Sequence, residues 1–142
     1  MRAALIAAVL VMLTSAVAAE PIASAHVIDG DTIQTSGRTV RLVGFDAPET
    51  GNRARCEAER TLGHKASMRL RQLVSAGGLD LALVRCNCRP DTEGTKRCNY
   101  GRACGLLRSA GRDVGAILIG EGLAREYVCT GTRCPRRQGW CG

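Results

Sequence analysis

Val27-Ile28-Asp29-Gly30-Asp31-Thr32-Ile33 and Arg41-Leu42-Val43-Gly44-Phe45-Asp46-Ala47-Pro48-Glu49-Thr50 are the two runs from which the fold of this chain is read. Residues His26 to Ile33 and Arg38 to Phe45 are rich in Val, Ile, Leu and Thr, the types that fit a pleated surface. Gln34-Thr35-Ser36-Gly37 between them has turn composition, so two strands joined by a hairpin are expected. Hairpin neighbours lie ~5 Å apart, which lets the carboxylates of Asp31, Asp46 and Glu49 converge where the strands end. Such oxygen-rich groups suit a hard divalent cation, which takes carboxylates, carbonyls and water. On their own, Asp29-Gly30-Asp31 is a turn-forming triplet and Pro48 a strand stop; Arg41, inside the apolar run that leads to Asp46, adds a functional reading to both. Strict alternation puts Arg41 with Val43 and Phe45 on one face and Asp46 on the other. Gly44 is the place for a bulge that would re-aim Asp46.

Beyond these runs, Ala58, Leu62, Ala66, Leu70, Leu73 and Val74 recur at helical spacing between Cys56 and Ala76, and Gly77-Gly78 ends the pattern. Leu79 to Arg85 reads as a short strand, and residues 86–101 as a polar loop holding three cysteines. Arg102 to Ser109 returns to strand composition, Ala110-Gly111-Arg112 turns, and Asp113 can cap a helix running to about Glu121. Leu123 to Val128 is expected to close the structure, and the tail from Cys129 to be irregular chain held by bridges. No internal repeat or second domain is visible.

The chain has 142 residues, 45% of them hydrophobic and 23% charged, which excludes collagen-like and wholly disordered classes. Four aromatics (Phe45, Tyr100, Tyr127, Trp140) leave the core to aliphatic residues and cross-links. Residues 1–19 read as a secretory signal: Arg2, an apolar run from Ala3 to Leu13, then small residues, with cleavage favoured after Ala19. The apolar run falls short of the ~20 residues of a spanning helix, so no membrane association is expected and residues 20–142 form one domain. Export to the periplasm or the medium makes disulfides the default for Cys56, Cys86, Cys88, Cys98, Cys104, Cys129, Cys134 and Cys141. Their spacings match no common zinc site, and their connectivity stays open. Twenty basic residues against 13 acidic ones give a formal charge of +7, and all but Lys65 and Lys96 of the basic residues are Arg. A polyanionic partner gripped by forked guanidiniums fits that balance.

These motifs resemble the thermonucleases, or staphylococcal nuclease-like domains. The resemblance lies in I-D-G-D-T at 28–32, R-L-V-G-F-D-A-P-E-T at 41–50 and Y-G-R at 100–102, in family order. It extends over the following helix and the G-R-D-V…G-L-A stretch of 111–124. It implies an α+β fold, mainly β with helices: a five-stranded oligonucleotide-binding-type barrel with one main helix, here stapled by disulfides. It also implies a calcium-dependent phosphodiesterase acting on DNA and RNA, with nucleic acid as substrate and a monomeric chain. By that resemblance Asp31, Asp46 and the Ala47 backbone carbonyl hold Ca2+, Glu49 activates or orients water, and Arg41 and Arg102 grip the phosphate. Products would end in 3′-phosphates. Elementary chemistry agrees, since in-line attack needs a base on one side and opposed charge at the non-bridging oxygens.

The chain departs from the family pattern at several places. Ala47 stands where Thr is frequent, the cysteine-rich loop 86–104 reaches Arg102, and the cysteine-rich tail 129–142 replaces a long C-terminal helix. Tyr127 is a nucleotide-stacking candidate, with core packing as its other reading. His26 and His64 are expected to be structural, and Trp140 to pack under a bridge. The alternative function is a non-catalytic nucleic-acid-binding module, since barrels of this type also bind strands without cutting them. A disulfide-rich extracellular binding protein is a third.

Overall fold

A computed structural model of the chain describes residues 18–142, so nearly all of the leader expected over residues 1–19 lies outside it. The first element, β1 (Glu20–Ile22), is an edge strand that the sequence pattern did not reveal. The expected strand His26–Ile33 is two strands, β2 (His26–Asp29) and β3 (Thr32–Thr35), paired antiparallel with an irregular register at Asp29. The cause is local: the Asp31 N–H donates to Asp29 Oδ1 at 3.2 Å, an Asx turn that folds the chain back on itself. Ser36 and Gly37, at φ 49° and 71°, then form the tight turn into β4 (Arg38–Leu42), which sets Thr32 opposite Arg41.

The second expected strand also breaks. Gly44 has φ 92°, a conformation that side chains resist, and beyond it β5 (Gly44–Asp46) leaves the main sheet. The bulge expected at Gly44 is thus a full change of partner. Helix α1 (Glu57–Ser75) follows, capped by Cys56, whose sulfur accepts from the Glu59 N–H. Its buried face runs through Gly63, Ala66, Ser67, Leu70 and Leu73. A Cβ on Gly63 would stand 2.5 Å from the Glu49 carbonyl oxygen and 2.8 Å from that of Pro48, so the helix lies directly on the Pro48-Glu49 backbone.

The remaining elements are β6 (Leu79–Val84), β7 (Ala103–Ser109), β8 (Arg112–Asp113), α2 (Val114–Gly120) and β9 (Arg125–Tyr127). Asp113 caps α2 by accepting from the Ala116 N–H at 2.7 Å, as its position predicts. The main sheet runs β1-β6-β7-β4-β3-β2, with β8 attached to β7, while β5 and β9 form a separate pair. A closed five-stranded barrel was expected; the fold is instead a curled, open six-strand half-barrel with two helices, similar to an oligonucleotide-binding fold. Two physical causes account for the difference. Gly44 sends β5 to β9 instead of extending β4, and β1 adds an edge on β6.

One core joins Val27, Ile33, Val40, Leu42 and Phe45 to Leu70 and Leu73 of α1, Leu81 and Leu107 of the sheet, and Val114 and Leu118 of α2. Phe45 is its single aromatic. A second cluster is built around Cys86, Cys98 and Cys104. Four disulfides use all eight cysteines: Cys56–Cys141, Cys86–Cys104, Cys88–Cys98 and Cys129–Cys134. Complete pairing fits an oxidising, extracytoplasmic compartment. Among the described residues no helix is long and apolar enough to cross a membrane.

Candidate active site

The Asx turn, the Gly44 break and the parallel β4–β7 pairing bring the sequence candidates together. In that pairing Val40 aligns with Ala103 and Arg41 with Cys104, so Arg102 enters the sheet beside Arg41 although the two are far apart in sequence. Asp31, Arg41, Asp46, Ala47, Glu49, Arg102 and Tyr127 all line one cavity of about 590 Å³. Arg41 Nη2 lies 3.0 Å from Asp31 Oδ2, 3.4 Å from Asp46 Oδ1 and 3.1 Å from the Phe45 carbonyl oxygen. The guanidinium therefore reaches both acids despite strict alternation, because the chain turns at Gly44. The Ala47 N–H donates to Asp31 Oδ2 at 3.0 Å, tying the two motifs together.

Glu49 is fixed from three sides. Its N–H donates to the buried Glu59 carboxylate at 3.3 Å, its backbone rests on Gly63, and its own carboxylate meets Arg53 Nε at 3.2 Å. Arg102 is oriented by Asn99: Nε donates to the Asn99 carbonyl at 3.0 Å and Nη2 to Asn99 Oδ1. Its Nη1 also lies 3.5 Å from the Thr32 hydroxyl, which donates to Asp31 Oδ1 at 3.2 Å. Among the described residues Arg102 has no carboxylate ion pair. Burial, and then the charge of Arg41, pull its pKa below the ordinary value, while Asp31 and Asp29 oppose that.

Asp31 is the electrostatic centre. Burial pushes its carboxyl from the ordinary 3.8 up to about 6; Arg41 and the Ala47 N–H work against the shift, and Asp29 adds to it. A buried acid whose charge its neighbours do not fully answer, grouped with Asp46 and Glu49, has the donor chemistry of a hard-cation site. Cys56, Glu59 and Cys141 also lie close together, but both sulfurs are in one disulfide and offer no thiolate to a metal.

Comparison with known proteins decides the family. The staphylococcal nuclease homologue family matches residues 39–139. The chain belongs to that family. Endonuclease YncB of Bacillus subtilis (strain 168) is 37% identical over 106 residues, covering 71% of this chain and 46% of the relative. The SPbeta prophage-derived endonuclease YokF of the same strain is 35% identical, covering 71% and 32%. Succinoglycan biosynthesis protein ExoI of Rhizobium meliloti (strain 1021) is 39% identical over 119 residues, covering 82% and 58%. The chain thus spans between a third and three-fifths of the length of these relatives.

Within this staphylococcal nuclease homologue, His26 and His64 are exposed and line no part of the site cavity. Trp140 packs face-on against Arg125, whose guanidinium carbon is 3.9 Å from the ring centre, next to the Cys56–Cys141 bridge. Tyr127 is half-buried on the cavity wall, and Tyr100, exposed at its edge, stands 5.6 Å from the Arg102 guanidinium. Four residues escaped sequence reasoning: Thr32, Arg53, Asn99 and Arg137. Arg53 pairs with Asp29 at 3.0 Å as well as with Glu49. Arg137 Nη2 lies 2.6 Å from Asp46 Oδ1, and its two terminal nitrogens are each 3.1 Å from Glu49 Oε1. Burial works against the Arg137 charge, but the hydrogen bonds and charges of Asp46 and Glu49 outweigh it and raise its pKa. The adjacency of Thr32 to Asp31 and of Asn99 to the Y-G-R run was a readable signal; for Arg137 there was none.

Proposed function

We propose that this chain is an exported, calcium-dependent phosphodiesterase that hydrolyses DNA or RNA. The observation that carries it is the convergence of Arg41 and Arg102 with Asp31, Asp46 and Glu49 on one open cavity. Family membership and the two relatives named as endonucleases support the same chemistry. Asp31, Asp46 and the Ala47 carbonyl would hold the calcium ion, which supplies positive charge toward the bound phosphate. Glu49, braced by Arg53 and the Gly63 contact, takes the proton of the attacking water as its oxygen bonds to phosphorus. Arg41 and Arg102 oppose the charge that grows on the non-bridging oxygens. The P–O5′ bond breaks, the 5′ oxygen takes up a proton from solvent, and the upstream product keeps a 3′-phosphate. Tyr127 offers a flat wall for the adjacent nucleotide.

Release of acid-soluble nucleotides from single-stranded DNA with calcium tests this function. Chelator is expected to abolish release, and Glu49→Gln to lower it by ~10²- to 10⁴-fold, the range for a lost general base. Release unaffected by both changes would overturn it.

A further inference from the structure

The tail after β9 returns to the site instead of leaving it. Cys141 is bridged to Cys56 at the start of α1, with a sequence separation of 85. Arg125 holds the same stretch from the other side, stacking on Trp140 and donating to the Gly139 carbonyl at 2.7 Å. Between these anchors and the Cys129–Cys134 bridge, Arg137 is carried over Asp46 and Glu49.

The two arginines at the acids differ in kind. Arg41 sits on a central strand with its side chain 14% exposed, wedged between Asp31 and Asp46. Arg137 sits on irregular chain with its side chain 47% exposed, and Asp46, its partner, is only 6% exposed. A buried acid is therefore answered from outside by a guanidinium that can turn to water without disturbing the sheet. Asp46 Oδ1 already accepts from Arg137 at 2.6 Å, with Arg41 at 3.4 Å, and a further cation at that oxygen meets like-charge repulsion at close range.

We propose that Arg137 is the displaceable counterion among the arginines paired with the carboxylate cluster, so that a divalent cation binds Asp46 by exchange with the tail's guanidinium. The inference rests on the reading that Asp31, Asp46 and Glu49 face a divalent cation. Displacing Arg137 consumes part of the ion's affinity, by ordinary linkage. Because Cys141 tethers the tail, the displaced guanidinium stays at the cavity mouth, where a phosphate chain offers it a new partner. Arg137 is thus a positioning residue that couples the ion site to the polyanion.

Calorimetric titration of calcium into the full chain without nucleic acid tests the exchange. Arg137→Gln is expected to bind calcium about fivefold more tightly than the parent, the scale of one partly exposed ion pair. Arg137→Lys keeps the charge and is expected to stay near the parent. Equal or weaker binding by Arg137→Gln overturns the exchange, as does Arg137→Lys binding as tightly as Arg137→Gln. Calcium binding by none of the three proteins would overturn both the exchange and the ion-site reading beneath it.

Discussion

Asp31, Asp46 and Glu49 come from two neighbouring motifs braced by hydrogen-bonded ladders and by α1, whereas Arg102 arrives where a disulfide-closed loop meets the β4–β7 pairing and Arg137 on a tail returned by a disulfide. On the acid side, backbone contacts do the positioning: the Asx turn at Asp29, the Ala47 N–H on Asp31 and the Gly63 contact beneath Glu49. On the arginine side, the Cys88–Cys98 bridge closes the loop that ends in Asn99, and Cys56–Cys141 returns the tail. The difference teaches that acids can be placed by local folding, while the guanidiniums from distant segments depend on long-range strand pairing and cross-links.

Breaking the acid side at its backbone support should have the largest effect. Gly63→Ala puts a methyl group where the Glu49 and Pro48 carbonyls now lie, and both are backbone atoms that cannot swing aside. The Glu49 segment must move, at a cost of ~1 to 3 kcal/mol of stability. Nucleotide release is expected to fall by about 10²-fold, the scale for displacing a reacting group by about an ångström. Melting temperature and kcat should drop together, with oligonucleotide affinity changing far less. An active, stable Gly63→Ala protein would show that Glu49 is not held from below.

Breaking the arginine side should cost less activity and be of a different kind. Replacing Cys88 and Cys98 together with Ala removes the bridge over a sequence separation of 10 without leaving a free thiol. The loop-entropy cost is about 3 kcal/mol. Asn99 then no longer fixes Arg102, and kcat is expected to fall about tenfold while calcium affinity stays unchanged. Loss of calcium binding in this variant would dissolve the division between the two sides.

The same division explains what was legible in the sequence. The hairpin turn, α1, the Asp113 cap and an irregularity at Gly44 are set by neighbours a few residues apart, and their signals survive in a single chain. Family resemblance puts Arg41 and Arg102 at one phosphate; periodicity alone sets Arg41 and Asp46 on opposite faces, and the bulge expected at Gly44 gives the site of the turn but not the change of partner found there. The open half-barrel was not legible because β1 on β6 and β5 on β9 are long-range choices with no local signature. Arg137 was hidden for a combinatorial reason: eight cysteines allow about a hundred pairings, and the Cys56–Cys141 bridge that returns the tail to Asp46 is set by none of the local signals.

The last expected effect lies in how stability varies with pH, and it separates the two sides electrostatically. Burial holds the Asp31 carboxyl at about 6 against an ordinary 3.8, so the ion-free folded chain keeps this proton across a window in which the unfolded chain has lost it. In that window the folded state binds more protons, and linkage makes this group's contribution to stability fall as pH rises from the ordinary carboxylate range to about 6. Above about 6 the contribution is flat, with the cost of the buried charge fully present. Asp31→Asn cannot ionise and lacks this slope. Melting curves in chelator should therefore show the difference between Asp31→Asn and the parent moving in favour of Asn between about pH 4 and about pH 7. At the upper pH, calcium should move it back by stabilising only the parent. A pH-independent difference would mean that Arg41 already answers the Asp31 charge in full, leaving the acid side no more in need of a cation than the arginine side.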